Sequence, residues 1–183
     1  RPERADLNEA YIRFREADCV GGLQILREVQ KSTYRRGATD AMLQEGLLLI
    51  DAGHPEAAAE NIGAFLRRGS WVDAGPQQIA LQIVQAWAQM MAGRRSAAVE
   101  TAKLAVAREA APVIIALAGT IFARCRRPDL AEAMKAPPVP WLDIRHYRIA
   151  NHRIAGEQLR QAGNEEAGLA EIRRAAELEP AVA

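Results

Sequence analysis

Residues 155–180 read AGEQLRQAGNEEAGLAEIRRAAELEP, and the fold turns on this stretch. Ala155, Gly156 and Leu159 lie at helical spacing before a turn-like break at Gly163-Asn164. Glu165 and Glu166 follow the break, where carboxylates meet the positive end of a helix dipole. Gly168, Ile172 and Ala175 recur at intervals of four and three, and Pro180 stops the pattern. The stretch is a helix, a tight turn and a second helix, with glycines where the two must approach.

Working outward, comparable breaks occur at Ala17-Asp18, Gly53-His54-Pro55, Gly93-Arg94 and Arg127-Pro128-Asp129. Five helix pairs follow. First helices are expected near residues 5–16, 39–52, 76–92, 111–125 and 143–162. Second helices are expected near 19–33, 55–68, 95–109, 128–135 and 165–178. A small residue sits early in each second helix: Gly22, Ala58, Ala98, Ala131 and Gly168, at successive intervals of 36, 40, 33 and 37 residues. Gly46, Ala86, Gly119 and Gly156 sit inside first helices, where a glycine costs about 1 kcal/mol against alanine unless a neighbouring helix must come close.

Two stretches interrupt the pattern. Residues 69–76, GSWVDAGP, are a loop by composition. Pro137, Pro138 and Pro140 cannot continue a helix, but Val139, Trp141 and Leu142 beside them are apolar enough to dock. Residues 135–141 are therefore expected to be an ordered break within one stack. No segment alternates polar and apolar residues, so no strand is expected. The chain reads as a single all-α repeat domain over residues 1–183, with an irregular break at 135–142.

This spacing resembles the tetratricopeptide repeat family. The last pair carries the resemblance best, through Gly156, Leu159, Gly163-Asn164, Gly168, Ile172, Ala175 and Pro180. The second pair carries it through Gly46, Leu49, Gly53, Ala58, Ile62 and Phe65, and the third through Ala86, Gln89, Gly93, Ala98, Ala102 and Ala105. The fourth matches at Ala118-Gly119, Phe122 and Ala131, and the first, most weakly, at Ala10, Gly22, Leu26 and Val29. The family's aromatic positions are mostly missing, and another helical-hairpin solenoid or an irregular α bundle would give similar spacing. The resemblance implies a right-handed α-solenoid of about five antiparallel hairpins.

It also implies a concave groove lined by first helices that holds partner peptides. Candidate groove residues are Tyr11 and Phe14; Leu43, Leu47 and Ile50; Ile83, Trp87, Met90 and Met91; and Leu117. At the last pair Arg153, Glu157 and Arg160 would make the surface charged. Two readings stay open for the apolar set: packing between adjacent first helices, or an exposed patch suited to an amphipathic partner helix. Family members that clamp a C-terminal carboxylate do so with Lys, Asn and Arg; the corresponding Asn8, Tyr11, Gln44, Ala80 and Val84 include no basic residue, so no such clamp is expected.

Composition narrows the function classes. Of 183 residues, 49% are hydrophobic and 26% charged, which suits a globular chain rather than a disordered one. Twenty-four basic residues against twenty-three acidic ones give no reason to expect nucleic acid or an anionic membrane as partner. Arg pairs at 35–36, 67–68, 94–95, 126–127 and 173–174 read as solvated cations, three of them at helix ends. No apolar run reaches the length of about 18 residues needed to span a bilayer. The chain begins at Arg1 rather than Met and carries no visible signal peptide. The expectation is a cytoplasmic fragment or processed product, with a periplasmic or tethered protein left open.

Catalytic motifs are lacking. His54, His146 and His152 have no metal-pair spacing, and no HExxH, phosphate loop or Gly-x-Ser-x-Gly elbow occurs. Cys19 and Cys125 read as two small buried hydrophobes. The sequence therefore points away from an enzyme and from any cofactor or metal. It points toward a protein-interaction module or chaperone-like scaffold; the rival reading is a regulatory or sensor domain of a larger signalling or transcription-regulating chain. Oligomeric state is not encoded legibly.

Overall fold

A computed structural model describes residues 2–31, 35–68, 76–108, 111–135 and 144–178. Among the described residues every regular element is a helix, ten in all. They are α1 (Pro2–Arg15), α2 (Cys19–Val29), α3 (Arg35–Asp51), α4 (Pro55–Arg68), α5 (Pro76–Met91), α6 (Arg95–Val106), α7 (Pro112–Arg124), α8 (Pro128–Ala133), α9 (Ile144–Gln161) and α10 (Glu165–Leu178). The largest departures from the expected bounds are at α3, which begins four residues early, and at α2, which ends four residues early. The expected loop at 69–75 and the proline-rich break from 136 onward lie outside the described residues.

One turn chemistry recurs. The residue after each first helix, or one beyond it, has a left-handed backbone: Ala17 (φ 64°), Gly53 (φ 81°), Gly93 (φ 77°), Arg126 (φ 60°) and Gly163 (φ 86°). At four of these turns two amides fold back onto the preceding helix in the pattern of a Schellman cap. His54 N–H donates to Leu49 C=O at 2.7 Å and Gly53 N–H to Ile50 C=O at 3.0 Å; Asn164 N–H donates to Leu159 C=O at 2.9 Å and Gly163 N–H to Arg160 C=O at 3.0 Å. The turns at Ala17 and Arg126 use the same pair of bonds. Asp18 then caps α2, its carboxylate accepting from Gly21 N–H at 2.9 Å. Arg13 beside it, then the Gly21 amide, hold the Asp18 carboxyl below the usual range.

Those turns set a common register. Seven residues before each left-handed residue stand Ala10, Gly46, Ala86, Gly119 and Gly156; five after it stand Gly22, Ala58, Ala98, Ala131 and Gly168. All ten are buried. The reason is visible at Gly156 and Gly168, whose backbones meet: a Cβ on Gly156 would stand 2.9 Å from Gly168 O, and one on Gly168 2.7 Å from Gly156 O. Across other pairs, a Cβ on Gly119 would collide with Ile154, and one on Gly46 would lie 2.6 Å from Ile62 Cδ1.

The chain groups into two units, Arg1–Ala92 and Gly93–Ala183. In the first, α1 packs on α2, α2 on α3, and α3 on both α4 and α5. Ala10, Leu26, Val29 and Ala41 form one cluster, joined by Leu7, Phe14, Ile25 and Leu48. Ala58, Ala59 and Ala88 form another with Leu49 and Ile50. In the second unit α9 packs on α10 and α7, while α7 also packs on α6 and α8. Ile121, Phe122 and Ile154 are its largest fully buried side chains.

Each unit also buries a carboxylate. Glu45 on α3 is 2% exposed. Gln30 Nε2 donates to it at 2.6 Å, Asn61 Nδ2 at 3.2 Å and Arg27 Nε at 3.4 Å, so one side chain ties α2, α3 and α4 together. Glu157 on α9 is 4% exposed and accepts from Arg124 at 2.9 Å and Arg160 at 3.1 Å. A buried charge persists only when paired and hydrogen-bonded.

Candidate interaction surface

The apolar first-helix residues divide by depth. Tyr11 is 59% exposed, Leu47 46% and Met91 51%. Phe14, Leu43, Ile50, Trp87, Met90 and Leu117 are partly buried. Phe14 covers Gly22, whose Cβ would sit 2.8 Å from the ring, and Ile50 packs on the Ala58–Ala88 cluster. Ile83 is 2% exposed and belongs to the core.

Register brings part of the set together. Tyr11, Leu47 and Trp87 each stand six residues before the left-handed turn residue, on α1, α3 and α5. Within the first unit α3 packs against both α1 and α5, so equivalent positions recur along neighbouring helices. On α3, Leu43, Leu47, Ile50 and Asp51 follow at intervals of four, three and one, which is a single helix stripe. On α5, Ile83, Trp87, Met90 and Met91 repeat the spacing. α5 is without a single charged residue from Pro76 to Met91.

The last turns of α3 and α5 contain no basic residue, and Asp51, exposed, closes α3. Asp40, thirteen residues before Gly53, is half-buried; burial pushes its carboxyl up, with Arg36 working against the shift.

The same positions in the second unit are occupied differently. Six before the turn stand Thr120 and Glu157. Thr120 Oγ1 donates to Ala116 C=O at 2.8 Å. Glu157, expected from the sequence to line a charged groove, is instead interior, held by Arg124 and Arg160. Arg160 also reaches Glu165 at 2.8 Å. Leu117 lies on this unit's α7, not on the stripe of the first unit.

Several features were missed in sequence. Cys19 is exposed, not buried, because it opens α2 immediately after the turn; Cys125 is buried, and burial raises its thiol. Ile12, Val20, Leu104, Val113 and Leu169 are further exposed apolar side chains outside the register positions above. His152 Nδ1 lies 2.6 Å from Glu171 Oε2 across α9 and α10, and this contact, aided by Arg174, holds the Glu171 carboxyl below its usual range. Among the described residues no three His, Cys, Asp or Glu side chains are placed to hold a metal ion, and no helix is long and apolar enough to cross a membrane. Comparison with protein-family models, curated proteins and solved structures finds no match to this chain.

Proposed function

We propose that this chain is a tetratricopeptide-like, right-handed α-solenoid that acts as a protein-interaction module, a scaffold or chaperone-like protein rather than an enzyme. It holds the apolar face of a partner helix or peptide on α1, α3 and α5. The observation that supports this reading is the repetition of Tyr11, Leu47 and Trp87 at one place on neighbouring helices, with Met91 exposed beside them. Scattered exposed hydrophobes are ordinary on a protein surface; a row in register is a patch of the kind that marks contact sites. Trp and Tyr are common anchors, and Met adapts to varied partners.

Capture of partners from a native extract by the intact chain, with Tyr11→Ser and Leu47→Gln run in parallel, tests the reading. Both side chains are exposed, so circular dichroism and the thermal midpoint should stay near the parent's. The reading expects the captured set to shrink in both variants. Capture unchanged in both would overturn it.

A further inference from the structure

We infer that copies of this chain associate head to tail, with α10 of one copy docking on α1 of the next. The contact repeats the one by which a hairpin inside the chain receives the hairpin before it. It does not rest on the partner face proposed above.

Positions counted from the left-handed turn residues recur at the junctions between hairpins. The residue five before the turn, on a first helix, meets the second helix of the preceding hairpin. Leu48 on α3 packs on the cluster that holds Leu26 and Val29 of α2. Ala88 on α5 clusters with Ala59 of α4, which stands six after its own turn residue. Gln158 on α9 donates to Glu132 of α8, again six after the turn, at 3.4 Å. A second line of contacts runs one turn away. Eight before the turn, Glu45 on α3 accepts from Arg27 of α2 at 3.4 Å, and Gln85 Nε2 on α5 lies 2.7 Å from where a Cβ on Gly63 of α4 would stand. Arg27 and Gly63 are both ten after their turn residues.

The terminal hairpins carry the two halves of this contact. α1 has Ile12 five before its turn residue and Glu9 eight before; α10 has Leu169 six after and Arg173 ten after. All four side chains are exposed, Ile12 to 49% and Leu169 to 39%. Ala88 and Ala59, at the same positions inside the chain, are 0% and 4% exposed. Set in the internal register, Leu169 of one copy meets Ile12 of the next, and Arg173 meets Glu9. The second pair repeats the charges of Arg27 and Glu45. One turn further, Ala176 and Ala5 are exposed and small, which leaves the helices room to approach.

The nearby charges permit this. Glu9 holds Arg13 at 3.1 Å, but both are exposed, and such a pair is worth little. Glu16 and Glu166 border the two stripes; their equivalents inside the chain, Ala52 and Glu56, stay exposed with a neighbouring hairpin packed beside them, so both carboxylates keep their water. The contact is heterologous, because the surface given differs from the surface received. With one helix docking on one terminal hairpin it is small, and a Kd of about 10–100 µM is expected.

Sedimentation of the intact chain from about 5 to 500 µM tests this. Average mass should rise with concentration. Ile12→Lys damages only the receiving end and Leu169→Lys only the docking end; both sites are exposed, and circular dichroism should show parent-like helix. Each variant alone should stay monomeric, and an equal mixture should form a dimer and nothing larger, since one good end of each kind remains. Glu9→Arg and Arg173→Glu should each weaken association about 3-fold or more, and the double exchange should restore it. A parent that is monomeric throughout, a variant that assembles like the parent, a mixture that fails to dimerise, or a double exchange without recovery would overturn the inference.

Discussion

Leu47 and Glu157 occupy the same place in their hairpins, six residues before a left-handed glycine, yet the surroundings have opposite characters. In the first unit the position is an exposed leucine on a helix whose last turn carries no basic residue. In the second it is a buried carboxylate pinned by two arginines. One backbone register therefore supports either an open apolar surface or a polar one satisfied from within. The lesson is that turn and packing residues specify the hairpin, while the outward positions are free to carry function.

The comparison can be broken most severely at the shared scaffold. Gly156→Leu places a side chain where the α10 backbone already stands, and backbone cannot yield as a flexible side chain can. A loss of about 3 kcal/mol is expected, read from urea unfolding. A variant as stable as the parent would mean that the α9–α10 approach is not fixed by size.

Next in effect is the contrast itself. Glu157→Ala removes the acceptor of two charged donors and should cost about 2 kcal/mol. The matched Leu47→Ala should change stability by less than about 0.5 kcal/mol, because its side chain is already half in water. Similar losses in the two variants would erase the difference between the faces.

A smaller effect, about 1 kcal/mol, is expected at the turns. Arg126→Gly relieves a left-handed arginine and should raise the thermal midpoint, whereas Gly53→Ala should lower it by a similar energy. Two shifts of the same sign would show that the two turns are not equivalent.

The smallest concerns acid. Because the Glu171 carboxyl is depressed by His152, its contribution is present above the ordinary glutamate value of 4.5 and disappears as pH falls through the folded value. The stability gap between the parent and Glu171→Gln should therefore narrow steadily below about pH 4.5. A gap that stays constant there would remove the ion pair from the account of the α9–α10 hairpin.

The sequence by itself determined the helices and their turns. Gly53, Gly93 and Gly163 mark left-handed residues that other side chains adopt only at a cost, and the buried small residues mark close approaches; both constraints are local or periodic, so they are written at fixed offsets. Ala17 and Arg126 carry no such signal, and those two turns were legible instead from the breaks at Ala17-Asp18 and Arg127-Pro128-Asp129. What only the tertiary structure decided is which side of each helix stays wet. Ile83 and Leu47 look alike in a stripe, but one is core and the other surface. Glu45 and Glu157 look like solvated charges, but each is buried by donors 15 to 33 residues away in the chain. Burial depends on what packs above a residue, and partners distant in sequence leave no mark in the spacing of the residue they cover.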